Sequence, residues 1–190
     1  MLKVLLFGNL ASGKSHLAAR LLERYPAYEQ VSIDDHRRKY SDGSTTGERL
    51  AKQSFISSVM PGAKQVIEAT GFGETAELLS EHLRAMNEPM LIILLTTPLD
   101  ICMARLEQRV WDVPYPAPPE QALELAQRTD ALISAGSIEN LWDAMPQAEL
   151  IKADLSCEAD PQKLLVQIER YLKPWNTRTL STNSVPCSLK

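Results

Sequence analysis

Gly8-Asn9-Leu10-Ala11-Ser12-Gly13-Lys14-Ser15 follows the apolar run Leu2-Lys3-Val4-Leu5-Leu6-Phe7 and leads into a helical pattern that continues to about Arg24. Every fixed position of a glycine-rich phosphate-binding loop is filled, in the strand, loop, helix context that this motif requires. The spacing has a physical cause. Glycines at both ends let successive backbone N–H groups turn inward around a phosphate, Lys14 adds a mobile positive charge, and Ser15 offers a hydroxyl to Mg²⁺. The following helix aims the positive end of its dipole at the same place. The whole loop, Gly8 to Ser15, is therefore assigned to a nucleotide, with Ser15 on the metal.

Outward from the loop, strands and helices alternate. Residues 28–33 pass as a second strand and end at Asp34-Asp35-His36-Arg37-Arg38; residues 41–47 are loop by composition. Helical spacing runs from Glu48 to Met60 and stops at Pro61-Gly62. Gln65 to Thr70 is a third strand, and Thr75 to Asn87 a helix that turns Leu78, Leu79, Leu83 and Met86 inward. Met90 to Leu95 is the most continuous apolar run, as expected of a central parallel strand covered on both faces. Thr97-Pro98 opens the next helix as N-cap and first residue, its apolar face being Leu99, Cys102, Met103, Leu106 and Val110. Residues 111–119 hold four of the chain's 12 prolines, too many for a regular helix or a central strand, and serve as a lid over roughly residues 109–120. Helices follow near 119–133 and 138–144, then a fifth strand at 149–153 and a helix from Asp160 to about Leu172. From Lys173 onward the polar, pattern-free chain reads as a mobile tail. Five strands alternating with helices make an α/β fold, one parallel sheet with helices on both faces.

In such a sheet, ligands bind beyond the carboxyl ends of the strands. Asp34 stands there, placed to take the proton of an acceptor hydroxyl. Asp35 is its rival for that role, and either aspartate can instead cap a helix. Arg37 can hold an acceptor phosphate or carboxylate by a bidentate contact, with Thr70 orienting the substrate. Glu68, at the end of strand three, is the acidic residue that acts on Mg²⁺ directly or through water. Arg105 and Arg109, on one helix before the proline-rich segment, can close over the nucleotide phosphates, Arg109 being nearer the transferring group. Arg128 is a weaker candidate, Trp111 and Tyr115 can stack on a base or pack the lid, and His16, His36 and His82 read as bystanders.

At 190 residues the chain is one domain's worth. Its net charge of −4 and pI near 5.5 argue against a long nucleic acid as partner. No apolar run reaches the ~18 residues of a membrane span, and the first strand is too short for a signal-peptide core. Three widely spaced cysteines, Cys102, Cys157 and Cys187, suit a reducing cytoplasm. Oligomeric state leaves no trace in the pattern.

Together, Gly8 to Ser15, the Asp-Asp-x-Arg run Asp34-Asp35-His36-Arg37, and Arg105-x-x-x-Arg109 resemble the P-loop kinases of the adenylate-kinase-like group over residues 1–172. Within that group the chain resembles the branch of polynucleotide 5′-hydroxyl kinases and related small-molecule phosphotransferases. The resemblance implies a three-layer α/β/α P-loop NTPase fold with strand order 2-3-1-4-5, and use of ATP and Mg²⁺. It also implies Asp34 as general base, Arg37 on an acceptor-side phosphate, and Arg109 on the ATP phosphates. Relatives often carry Asp-x-Thr-Asn at strand three, where this chain has Glu68-Ala69-Thr70-Gly71. The expectation is an ATP-dependent kinase acting on a hydroxyl or phosphate of a small molecule or nucleotide. A 5′-hydroxyl polynucleotide kinase and a nucleotide-sensing module without transfer are the alternatives.

Overall fold

Six consecutive buried residues form β1 (Lys3–Gly8), and six more form β4 (Met90–Leu95), the two central strands of the sheet in this computed structural model. It describes residues 3–114, 120–142, 145, 147–157 and 160–178. The remaining elements are α1 (Lys14–Arg24), β2 (Glu29–Ser32), α2 (Ile33–Tyr40), α3 (Thr45–Ser58), β3 (Gln65–Glu68) and α4 (Gly73–Met86). They continue as α5 (Leu99–Glu107), α6 (Glu120–Ser134), α7 (Ser137–Trp142), β5 (Ala148–Ala153) and α8 (Asp160–Arg178). All five strands are parallel, in the order β2-β3-β1-β4-β5, as the resemblance implies.

The pleat divides the core. Val4, Leu6, Leu91, Ile93 and Leu95 face α1 and α8 through Leu17, Leu21, Leu165 and Ile168. The alternate residues Leu5, Phe7, Ile92 and Leu94 face α3, α4 and α7 through Phe55, Leu79, Leu83 and Trp142. Successive side chains leave a strand on opposite faces, so each central strand is apolar on both, Lys3 at the start of β1 apart. A smaller cluster of Leu10, Leu106, Ala122 and Ala126 seats α5 and α6 on the loop after β1. At the opposite end of the sheet, Lys3 is fully buried, donating to Met60 O at 2.7 Å and Ala63 O at 3.2 Å and pairing with Glu88 at 3.0 Å.

Several boundaries differ from the periodicity. Asp34 does not follow a strand directly: β2 ends at Ser32 and Asp34 lies in the first turn of α2, an element too short and too polar to give a periodic signal. Helix α3 starts three residues early because Ser44 Oγ accepts from Gly47 N at 3.0 Å. Thr97 is not an N-cap: Pro98 holds that place, while the Thr97 hydroxyl donates to Ser12 O at 2.9 Å and accepts from Leu155 N at 3.2 Å. Leu78 is exposed, and Val110 is 82% exposed because α5 has already ended at Glu107. Helix α8 runs past Leu172 to Arg178. The rest of the expected tail (179–190) and the centre of the expected lid (115–119) lie outside the described residues.

One strut positions the turn after β3. Gly71 has φ of +91°, and a Cβ there would come within 2.7 Å of Phe7 Cγ, so only glycine fits. Its carbonyl accepts from Trp142 Nε1 at 3.1 Å, and the Trp142 ring packs on Phe7 with centroids 4.6 Å apart. Trp142→Phe keeps most of the packing but strands the buried carbonyl, so it is expected to lower unfolding free energy by about 1–3 kcal/mol in urea titration. A loss under ~0.5 kcal/mol would mean the bond contributes little.

Candidate active site

The loops after β1, β2 and β3 meet α5 around a cavity of about 370 Å³. Its walls carry Ser12, Lys14, Ser15, Asp34, Arg37, Glu68, Thr70, Arg105 and Arg109. Three motifs far apart in sequence therefore share one space because parallel strands put their carboxyl ends on one edge.

The loop itself is held from behind. Gly8, at φ +144°, lies so close to β4 that a Cβ would sit 2.7 Å from Leu95 O. Asn9 Nδ2 donates to Ala126 O at 2.9 Å, and its Oδ1 accepts from Leu10 N at 2.8 Å. The Lys14 ammonium donates to Asn9 O at 2.6 Å and Gly8 O at 3.2 Å. Burial pushes its pKa down, opposed by the charges of Glu68 and Asp34. Ser15 Oγ donates to Glu68 Oε1 at 2.6 Å, and Gln30 Nε2 to Glu68 Oε2 at 3.3 Å.

Asp34 and Asp35 part company here. Asp34 faces the cavity with Oδ1 2.9 Å from Arg37 Nη1 and Oδ2 3.3 Å from Arg109 Nη2. Asp35 turns outward, 59% exposed, onto Arg38. Arg37 also forks onto Glu48 of α3, Nε to Oε2 at 2.9 Å and Nη2 to Oε1 at 2.7 Å. Arg105 and Arg109 share the cavity but not one helix, because Arg109 lies beyond the end of α5. Arg109 sits over the Trp111 ring at 5.3 Å. Arg105 donates to Ala11 O at 3.3 Å and Leu155 O at 2.8 Å, and with Thr97 it ties the outside of the loop to the turn after β5. A second cavity of about 330 Å³ lies there, between Ala11, His16, Arg105 and residues 155–157.

The residues fit a metal-bound nucleotide. Ser12 Oγ is a buried hydroxyl without a partner among the described residues, on the wall of the main cavity. Ser15 and Glu68 offer a metal one hydroxyl and one carboxylate, the sparse protein ligation that suits Mg²⁺ with its remaining positions on phosphate and water. No group of three or more acidic, histidine or cysteine side chains that could hold a metal occurs among the described residues.

Glu68 is nearly buried, and desolvation raises its pKa against the opposing pull of Lys14 and Ser15. A carboxyl whose folded pKa lies above its unfolded value loses its stabilising contribution as pH rises through the folded pKa. Glu68→Gln is therefore expected to be at least as stable as the parent at pH 7, with the difference shrinking below the ordinary pKa of 4.5. Melting temperatures across pH 4 to 8 check this, and a variant less stable at pH 7 than at pH 4, relative to the parent, would contradict it.

Sequence reasoning missed Glu48, whose role comes from a tertiary contact rather than a motif, and the clamp of Thr97. Arg38 pairs with Asp112 at 3.0 Å, while Ser41 Oγ donates to Pro114 O at 3.1 Å, so α2 is tied to the segment after Arg109. His36 meets Ser54 Oγ at 3.0 Å and His82 meets Val59 O at 2.9 Å, so neither is a bare surface residue. His16 and Arg128 are exposed. Tyr115 and Cys187 lie outside the described residues.

Residues 4–132 match the model of a protein family described as AAA domain. No curated protein matches the chain. Solved structures share the fold. A gluconokinase from Sinorhizobium meliloti 1021 superposes with a TM-score of 0.58 at 14% identity, over 93% of this chain and 96% of its own. A shikimate kinase from Acinetobacter baumannii in complex with shikimate gives 0.56 at 18% identity, over 89% and 93%. The Pnkp1/Rnl/Hen1 RNA repair complex gives 0.53 at 18%, over 68% of this chain and 45% of that one. At these identities the likeness describes the fold, which is that of P-loop kinases.

Proposed function

The chain belongs to the AAA domain family, and on that premise we propose that it is an ATP- and Mg²⁺-dependent kinase acting on a hydroxyl of a small molecule or nucleotide. The observation that carries this reading is the meeting of Lys14, Ser15, Asp34 and Arg109 on one cavity. A loop that only senses nucleotide has no need of a carboxylate held by two arginines beside its phosphate cradle.

Mg²⁺–ATP, when bound, supplies the γ-phosphoryl group and a leaving group whose charge the metal neutralises. The backbone N–H groups of residues 8–15 and the Lys14 ammonium bind the phosphates. Ser15 and Glu68 hold the metal, Ser15 through its hydroxyl. Asp34 orients the acceptor hydroxyl and takes its proton at a carboxylate oxygen. Arg37 fixes the rotamer of Asp34, Thr70 orients the acceptor, and Arg109 turns from Asp34 toward the transferring group, where a guanidinium stabilises spread negative charge. Arg105 keeps the outer side of the loop against the turn after β5, beside the second cavity. Three widely spaced cysteines suit a reducing cytoplasm, where ATP is abundant.

Transfer of label from γ-labelled ATP to a 5′-hydroxyl oligonucleotide, mononucleotides, sugars and amino-alcohols tests the reading. Label in a small acceptor supports it, label in the oligonucleotide alone redirects it to nucleic acid, and no label in any sinks it. Arg109→Ala is expected to slow that transfer by at least about tenfold while leaving the fold intact, read as initial rates beside far-ultraviolet circular dichroism.

A further inference from the structure

Arg37 is the cation expected to hold an acceptor phosphate or carboxylate, yet two carboxylates of this chain already hold it. Nε and Nη2 bond both oxygens of Glu48, and Nη1 bonds Asp34. The pair is nearly enclosed, with side chains 13% and 10% exposed. Lys52, the other cation near Glu48, stands 4.0 Å away and is itself held by Glu74 at 2.7 Å. An anionic acceptor group reaching Arg37 would either displace Glu48, leaving an enclosed carboxylate unpaired, or bring a third negative charge onto one guanidinium already shared by Glu48 and Asp34, and both are strongly unfavourable. Hydroxyl or amine donors face no such obstacle, since a carboxylate oxygen already accepting one hydrogen bond can accept another.

We propose, building on the kinase reading above, that Glu48 sets the acceptor class. By neutralising Arg37 it makes this wall reject phosphate and carboxylate, so the acceptor is a hydroxyl-rich molecule with no anionic group near the reacting hydroxyl. Glu48 acts through Arg37 and is a specificity-determining residue rather than a catalytic one.

The test uses inorganic phosphate as probe, titrated calorimetrically into the full chain with the nucleotide site filled by a non-hydrolysable ATP analogue and Mg²⁺. The parent is expected to show no saturable phosphate binding in the low millimolar range. Glu48→Gln should gain affinity by at least about tenfold, Glu48→Asp should stay close to the parent, and the gain should vanish when Arg37→Gln is added to Glu48→Gln. Arg37-dependent phosphate binding by the parent, or no gain in Glu48→Gln, overturns the proposal. Matched acceptors give a second readout: glycerol against glycerol 3-phosphate and glycerate, glucose against glucose 6-phosphate and gluconate. The uncharged member should lead each set in kcat/KM, and a leading anionic member overturns the proposal while leaving the kinase reading intact. Failure of the analogue to bind counts against the kinase reading instead, and the Arg37-dependent difference in phosphate binding still decides this one.

Discussion

Asp34→Asn is expected to lower phosphoryl transfer by about two to four orders of magnitude, the usual contribution of a positioned general base, while ATP affinity holds or rises. The substitution keeps the shape of the side chain but removes the charge that takes the acceptor proton. It also weakens the 3.3 Å contact with Arg109, freeing that guanidinium for the nucleotide phosphates. The neighbouring Asp35→Asn is the control, because Asp35 points outward onto Arg38 and lines no part of the cavity. It should transfer at nearly the parental rate. Single-turnover kinetics beside equilibrium ATP binding separate the outcomes. A parental rate in Asp34→Asn would remove the base assignment, and a collapse in Asp35→Asn would transfer it.

Lys14→Met is the second large effect. The ammonium is bonded to two carbonyls of its own loop and sits among Glu68 and Asp34, with burial lowering its pKa. A desolvated cation in a closed site is worth far more to a developing phosphoryl charge than one in water. Loss of one such stabilising group is expected to lower kcat by about two to three orders of magnitude. Methionine fills the same volume, so near-native circular dichroism should accompany the loss. An unchanged rate would mean that the phosphates do not lie along this loop.

The parallel sheet was legible because the central strands are apolar on both faces and the loop after β1 admits few alternatives, while its strand order followed from what the resemblance implies. What the sequence concealed is tertiary. Helix α2 has eight residues and one buried side chain, Ile33, so no period marks it, although its first turn carries Asp34. Glu48 stands in no motif and marks only the start of the expected helix, and the packing of α2 on α3 brings it onto Arg37. Thr97 read as a cap because threonine before proline usually is one; its hydroxyl goes instead to Ser12 and Leu155, a demand that local sequence does not express. Arg105 and Arg109 have helical spacing, yet α5 ends between them, so one serves the loop and the other reaches Asp34. Choosing between Asp34 and Asp35 needed the direction of each side chain, which adjacency in sequence does not carry.

A kinase differs from a nucleotide sensor in transferring the phosphoryl group rather than only binding it. Transfer is tested most directly by incubating the chain with γ-labelled ATP, Mg²⁺ and uncharged hydroxyl acceptors, then separating acceptor, ADP and inorganic phosphate. Label is expected covalently on an acceptor hydroxyl, in step with ADP formed and abolished in Asp34→Asn. Tight ATP binding with no labelled acceptor from any hydroxyl compound, in parent and variant alike, would contradict it and leave a nucleotide-sensing module in its place.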